Sequence, residues 1–243
     1  MRIAIVSDIH GNRTALAAII RDIRYTSPDL ILHGGDLADS GSSPADVIDQ
    51  IRDLGWPGVM GNADEIYTRP ESLNEFARKS STPPLIWTVV NEMAAVTRAM
   101  LGEERISWMR RLPQSQVHDL IALVHASPES VWRSPGPEAT DAELEHVYAP
   151  LGKDLVVFGH IHRPFVRTFQ IPDRKITVAN AGSVSLPYDG DCRAAYLLID
   201  RGNPKIRRVE YKLEKEIQAL STSGLPYSDW VAKMLYTGRP QMP

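Results

Sequence analysis

Residues 2–12 read RIAIVSDIHGN, and this stretch predicts a buried strand that ends directly in polar side chains. The run from residue 2 to residue 7 is apolar and rich in β-branched residues, as is typical of a strand covered on both faces. Gly11 permits a tight turn after it, and Asn12 can cap a helix over residues 14–23. The chain therefore begins with a strand, a turn and a helix.

The same alternation continues through the first sixty residues. A second strand is predicted over 29–33, where it runs into Gly34-Gly35-Asp36, and a helix over 44–54 follows with proline at its start. A short third strand over 58–60 ends at Gly61-Asn62. Strands that alternate with helices in this way predict a parallel sheet.

The second half of the chain has a different pattern. Short apolar runs separated by turn residues predict an antiparallel sheet there. The predicted strands are 120–124, 155–158, 165–169, 175–178, 193–200 and 205–211. Helices are predicted over much of 64–113 (the last at 103–112), over 141–148 and in the tail from residue 213. Motif residues lie on both sides of the Pro/Ser-rich loop 127–137, so we expect one domain over residues 1–243.

The composition excludes several classes of protein. The chain has 243 residues, 43% of them hydrophobic. Its net charge is −3, and its sequence shows no basic stripe of the kind that binds nucleic acid. Its one cysteine, Cys192, rules out an intrachain disulfide and cysteine-built zinc sites. No stretch approaches the roughly 20 apolar residues that cross a bilayer. The first apolar run is too short for a signal peptide, and we expect a cytoplasmic protein.

Metal-capable side chains follow five of the apolar runs, at the point where each run ends. Sites in α/β folds form beyond the carboxyl ends of the strands, so these side chains are expected to meet. Asp and His suit Mn, Fe, Zn, Ni or Co, with Mn favoured. Seven ligands are too many for one tetrahedral zinc and suit two divalent ions about 3.5–4 Å apart. The candidates are Asp8, His10, Asp36, Asn62, His125, His160 and His162.

These motifs together resemble a known family. SDIHGN, GGD, GN-x-D, a single histidine after a strand and GHIH occur in the order found in calcineurin-like metallophosphoesterases. The later AGSVSLP, residues 181–187, is similar to the NxGS loop of small prokaryotic members. From this resemblance we expect a four-layer α/β sandwich, in which two mixed β-sheets face each other and helices cover the outside.

The resemblance also implies a role for each ligand. Asp8, His10 and His162 would hold one metal ion and Asn62, His125 and His160 the other. Asp36 would bridge the two ions, and a hydroxide held between them would attack phosphorus. The residues closest to the chemistry would be Asp36, Asn62 and His125, and the reaction would be hydrolysis of phosphate esters.

One position departs from the family pattern. Many members carry a histidine after the asparagine of the third motif, where this chain has Ala63, and general acid catalysis contributes about 10²–10⁴-fold. We therefore favour a phosphodiester or nucleotide polyphosphate as the small-molecule substrate over a phosphomonoester or phosphoprotein. A non-catalytic, metal-holding scaffold that binds a nucleotide or protein partner is the alternative. The oligomeric state stays open, with a homo-oligomer among the states allowed.

Five further residues have two interpretations each. His33 is expected to be a packed histidine. Asp64 could orient a ligand or cap the following helix, and the pattern does not decide between the two. Asp39 and Arg163 lie near motif ends, where they could contact substrate or simply face solvent. Trp132 is expected to pack in the protein, although its loop could border the site.

Overall fold

The computed structural model describes residues 1–119 and 121–243. Its strands are β1 (Arg2–Val6), β2 (Leu30–His33), β3 (Ser115–His118), β4 (Ile121–Val124), β5 (Leu155–Phe158), β6 (Phe165–Gln170), β7 (Lys175–Asn180), β8 (Ala194–Asp200) and β9 (Asn203–Val209). Its α-helices are α1 (Arg13–Thr26), α2 (Pro44–Leu54), α3 (Asn62–Thr68), α4 (Glu71–Ala77), α5 (Pro84–Met109), α6 (Asp141–Tyr148), α7 (Leu213–Thr222) and α8 (Ser228–Thr237). No helix in this part of the chain is long and apolar enough to cross a membrane.

The strands form two mixed sheets. The first has the order β2-β1-β8-β9, with β1 parallel to β2 and antiparallel to β8. The second has the order β3-β4-β5-β7-β6, in which β4, β5 and β7 are parallel and the two edge strands are antiparallel. The parallel strands β1, β2, β4 and β5 therefore direct their carboxyl ends to loops that carry the candidate ligands.

Alternate side chains of each strand build separate layers of the core. On β1, Ile3 and Ile5 face the second sheet and contact a cluster that includes Leu123 and Val157. Val6, on the opposite face of β1, packs with α1, α2 and α5. The outer face of the second sheet packs on α6. Each fully buried side chain of this size contributes about 1.5–3 kcal/mol to the free energy of folding. The layers follow the order helix, sheet, sheet, helix, which confirms the expected fold.

Several predicted boundaries differ from the structure. Residues 58–60 make only one isolated bridge, between Gly58 and His33, and are not a strand. The pairing ends there because the chain turns at once into Gly61. The predicted strand 120–124 is present as Ile121–Val124, and Leu120 lies outside the described residues. The predicted helix 103–112 is the end of α5, which contains a non-helical Gly102 with φ of 68° and stops at Met109.

The edge strand β3 was missed from the sequence altogether. Its residues read SQVH, with three polar side chains and a Val117 that is 53% exposed. An edge strand with one partner and little burial shows no apolar alternation. Its pairing with β4 is thus visible only in the structure.

Candidate metal centre

Five of the seven candidate ligands have a left-handed backbone. Their φ values are 56° for Asp8, 46° for His10, 53° for Asp36, 66° for His160 and 55° for His162. This conformation costs a non-glycine residue about 1–2 kcal/mol and persists where the surrounding structure enforces it. It turns the chain sharply just beyond each strand, so that side chains from different strands point to one place.

Backbone hydrogen bonds tie these turns to one another. The Asp8 N–H donates to the carbonyl of Gly35 over 3.0 Å, and the His10 N–H donates to the carbonyl of Asp36 over 2.9 Å. The Gly159 N–H donates to the carbonyl of His125 over 2.9 Å. The ends of β1 and β2 are thus fixed against each other, as are the ends of β4 and β5.

A first set of four buried side chains, which we call the Asp8 group, consists of Asp8, His10, Asp36 and His162. One ligand atom from each lies within 4.8 Å of the others. His162 Nε2 is 3.2 Å from Asp8 Oδ1 and 3.2 Å from His10 Nε2. His10 Nε2 is 3.7 Å from Asp36 Oδ2. Spacings of this size leave room for one ion among the four atoms.

The remaining three side chains, which we call the Asn62 group, lie beside the first. Asn62 Oδ1 is 3.0 Å from His125 Nε2 and 2.8 Å from His160 Nδ1. His125 Nε2 is also 3.5 Å from Asp36 Oδ1. The two carboxylate oxygens of Asp36 therefore face different groups, and the structure brings all seven predicted side chains together.

The hydrogen bonds of two histidines show which of their nitrogens are free to bind a cation. His162 Nδ1 lies 2.6 Å from the carbonyl oxygen of Leu186, and His125 Nδ1 lies 2.7 Å from that of Gly34. A carbonyl oxygen only accepts, so each Nδ1 carries a proton, and in the neutral ring each Nε2 directs a lone pair inwards. In that state the lone pairs face carboxylate and amide oxygens. Such a set of acceptors fits a cation.

Burial also shifts the protonation of these side chains. Burial, followed by the nearby histidines, lowers the pKa of His10 to about 3 and that of His160 to about 3, so both rings are neutral. Burial would raise the pKa of Asp8, but the charge and hydrogen bond of His162 hold it well below its ordinary value. Burial and the charges of Asp8 and Asp64 raise the pKa of Asp36 well above its ordinary value. Positive charge at the centre would relieve this repulsion.

Asp64 fills both of the roles considered from the sequence. Its carboxylate accepts from the backbone N–H of Gly61 over 2.9 Å, which caps α3. It also accepts from the N–H groups of Asp36 and Leu37, each over 2.9 Å. Asp64 therefore fixes the backbone of the candidate ligand Asp36 and also caps the first turn of α3.

Asp39, Arg163 and His33 lie inside the protein or against its core. Asp39 accepts from Tyr67 over 3.2 Å and lies 3.9 Å from His10 Nδ1, and burial raises its pKa. Arg163 donates to the carbonyl of Tyr188 over 2.9 Å. His33 is fully buried, as expected for a packed histidine.

The loop after β7 contributes residues that were not assigned a role from the sequence. Ser183 Oγ donates to the carbonyl of Asp8 over 2.8 Å and accepts from the N–H of Leu186 over 2.8 Å. Leu186 in turn holds His162 through its carbonyl. The AGSVSLP motif marked this loop, but its action through backbone groups could not be read from residue types.

Comparison with known proteins identifies the family of this chain. Residues 1–164 match the calcineurin-like phosphoesterase family. The chain belongs to this family. Membership confirms the resemblance drawn from the motifs, and with it the expected enzyme class, a metal-dependent phosphoester hydrolase.

Individual relatives agree with this family assignment. An uncharacterized protein of Methanocaldococcus jannaschii is 28% identical over 256 residues, which cover 98% of each chain. A probable cyclic nucleotide phosphodiesterase of Synechococcus is 26% identical over 173 residues, 62% of this chain and 64% of that protein. The crystal structure of a metallophosphoesterase from Sphaerobacter thermophilus superposes with a TM-score of 0.78 at 23% identity, covering 98% of this chain and 100% of that one. This last likeness supports the fold.

Proposed function

We propose that this calcineurin-like phosphoesterase hydrolyses phosphodiesters or nucleotide polyphosphates with two divalent metal ions, Mn²⁺ being the favoured metal. Asp8, His10 and His162 would hold one ion, and Asn62, His125 and His160 the other. Asp36 would contribute one oxygen to each. The substrate would be a small molecule that reaches the centre at the carboxyl ends of the strands.

One observation supports this proposal above the others. In the neutral tautomer that the carbonyls of Gly34 and Leu186 select, the inward-facing nitrogens of His125 and His162 are acceptors. Both nitrogens lie within 3.5 Å of a carboxylate oxygen, His125 of Asp36 and His162 of Asp8. A buried arrangement of acceptors is costly unless cations occupy it.

The chain's own residues would prepare the reaction by orientation and exclusion of water. Divalent ions at such a centre supply a nucleophile at neutral pH and neutralise charge on the transferring phosphoryl group. The carbonyls of Gly34 and Leu186 fix the tautomer and direction of two imidazoles. Asp64 fixes the backbone at Asp36.

The proposed substrate class is based on Ala63. This residue is 3% exposed and contributes only its backbone N–H, which donates to Asp36 Oδ1 over 2.8 Å. Its methyl group cannot protonate a leaving group. We therefore favour leaving groups that need little protonation, such as a nucleotide phosphate. The phosphodiester part of the proposal is supported by the Synechococcus relative, a probable cyclic nucleotide phosphodiesterase.

The test is a metal-dependent assay with a matched pair of variants. Protein loaded with Mn²⁺ is assayed on bis-p-nitrophenyl phosphate, p-nitrophenyl phosphate and dinucleoside polyphosphates. Asp36→Asn should lower kcat by roughly 10³-fold or more, because one carboxylate serves both ions. Asp22→Asn, at a carboxylate that pairs with Arg207 instead, should keep the parent rate. Metal binding without turnover of any substrate would refute the proposal in favour of the scaffold alternative.

A further inference from the structure

The tryptophan of the Pro/Ser-rich loop contacts the helix that carries Asn62. The indole N–H of Trp132 donates to the carboxylate of Glu65. Glu65 lies in α3, whose first residue is Asn62, and its side chain is only 13% exposed. Its other oxygen accepts from Arg69 Nε over 3.3 Å. The contact therefore joins the loop after β4 to the start of α3 through a partly desolvated, charge-assisted hydrogen bond.

The same loop is fixed on the side that leads back to His125. The N–H of Ser127 donates to the carbonyl of Ser130 over 3.0 Å, and Ser130 Oγ accepts from the N–H of Trp132 over 3.0 Å. These bonds close a tight turn between His125 and Trp132. Trp132 is thereby linked to His125 through this turn and to the helix that begins at Asn62 through Glu65.

The ring of Trp132 is held in place from outside the centre. It stacks on Phe76 with ring centroids 4.9 Å apart and an angle of 26° between the planes. Phe76 also meets Trp87 edge-on, with centroids 5.6 Å apart. Aromatic pairs of this kind contribute about 0.5–1.5 kcal/mol beyond their burial. The indole is thus held on the side where its N–H reaches Glu65.

The Asp8 group has a different set of supports. His162 is held by the carbonyl of Leu186, and Asp8 by Ser183 Oγ at its carbonyl. Asp36 is held at its backbone by Asp64. Within the described part of the chain, none of these supporting bonds involves Glu65 or Trp132. The contact between Glu65 and Trp132 is therefore separate from the bonds that hold the Asp8 group.

From these contacts we propose that Glu65 and Trp132 are positioning residues for the Asn62 group. Their hydrogen bond sets the distance between Asn62, at the start of α3, and the two histidines of the second sheet. This inference rests on the proposed function, since it assumes that the Asn62 group binds one of two metal ions. Loss of the contact should weaken that ion and leave the ion of the Asp8 group unchanged.

The experiment measures Mn²⁺ binding directly, by calorimetric titration of the metal-free protein. Trp132→Phe keeps the stack on Phe76 but removes the indole N–H, and Glu65→Ala removes the acceptor. Each should weaken one of the two binding steps roughly 10- to 100-fold and leave the other within about twofold. Glu65→Gln, which keeps an acceptor oxygen, should recover most of the loss. Trp87→Phe is the matched control, because the Trp87 indole nitrogen has no hydrogen-bond partner among the described residues.

Two further backgrounds identify which half responds. In His162→Ala, where the Asn62 group is intact, adding Trp132→Phe should weaken the remaining ion. In His160→Ala, where the Asp8 group is intact, the same addition should change nothing. Thermal unfolding of each metal-free variant shows whether it is folded before titration.

Three outcomes would overturn the inference. Trp132→Phe and Glu65→Ala could leave both steps unchanged, or they could weaken both steps equally in folded protein. In either case the parent still binds two ions, and the proposed function stands. If the parent binds no divalent metal, the proposed function fails first, and this inference falls with it.

Discussion

The histidine at the end of β2 offers a sharp test of how burial controls charge in this protein. His33 is fully buried, its ring lies 6.5 Å from that of Trp108, and neither ring nitrogen has a hydrogen-bond partner within the described residues. Burial lowers its pKa from 6.5 to about 3. Replacement by leucine removes both nitrogens and keeps a side chain of similar size.

The sign and size of the effect follow from proton linkage. The pKa of the folded state lies below that of the unfolded state, so this contribution to stability is fully present above 6.5 and is lost as the pH falls towards 3. At about pH 5 the unfolded histidine is protonated roughly 30 times more often than not, which favours unfolding by about 2 kcal/mol. At about pH 8 the unfolded histidine is almost entirely neutral, so its protonation no longer favours unfolding. This free energy depends mainly on the pKa of the histidine in the unfolded state, because the buried ring of the folded state stays neutral at both pH values.

The measurement is urea unfolding of metal-free parent and His33→Leu at about pH 8 and about pH 5. Any cost of the change in shape is the same at both pH values and cancels in the difference. Between the two, the variant should gain about 2 kcal/mol relative to the parent. His146→Leu, at an exposed histidine, should show no such gain. If the free energies of unfolding of parent and His33→Leu differ by the same amount at both pH values, His33 is not a buried, unpaired histidine.

Two further substitutions test the structure around the centre. Asp64→Ala should lower the free energy of unfolding by about 3 kcal/mol or more, because three buried N–H groups lose their acceptor. Asp64→Asn should recover part of this in urea titrations, and equal stability of all three proteins would contradict it. Gly61→Ala should weaken Mn²⁺ binding at least tenfold by calorimetry, since its Cβ would lie 2.0 Å from Asp36 Oδ1. Gly136→Ala, whose Cβ meets nothing within 4 Å, is the control, and equal affinity in both would refute the expectation.

The fold was predictable from the sequence because its central strands are buried on both faces. Residues 3–6, 121–124 and 155–158 are continuous apolar runs, and each is followed closely by polar residues. The facing of the two sheets was expected only through the family resemblance, and the strand order is known from the structure. The edge strand Ser115–His118 carries no such run, since two of its four residues are exposed and the other two are only partly buried. The sequence pattern therefore identified the fully buried central strands and missed the polar edge strand β3.

The candidate ligands were predictable for a related reason, and their supports were not. Side chains that bind metal ions come from few residue types, here Asp, His and Asn, so residue type and its place after a strand suffice to nominate a ligand. A support can act through any backbone group. Gly34 and Leu186 orient histidines through carbonyls, and residue type says nothing about a carbonyl. Trp132 reaches its partner across 67 residues of sequence, a distance that no local pattern spans.

The centre lies across the boundary between the two sheets, and this explains why the sandwich is needed for it. The Asp8 group combines three residues from loops of the first sheet with His162 from the second. The Asn62 group combines Asn62, next to the first sheet, with His125 and His160 from the second. Neither sheet alone supplies a complete set of ligands for either of the two proposed ions. The apolar layer between the sheets therefore sets the spacing of both groups of side chains. A cavity in this layer that lets the sheets shift by a fraction of an ångström would disturb both groups together.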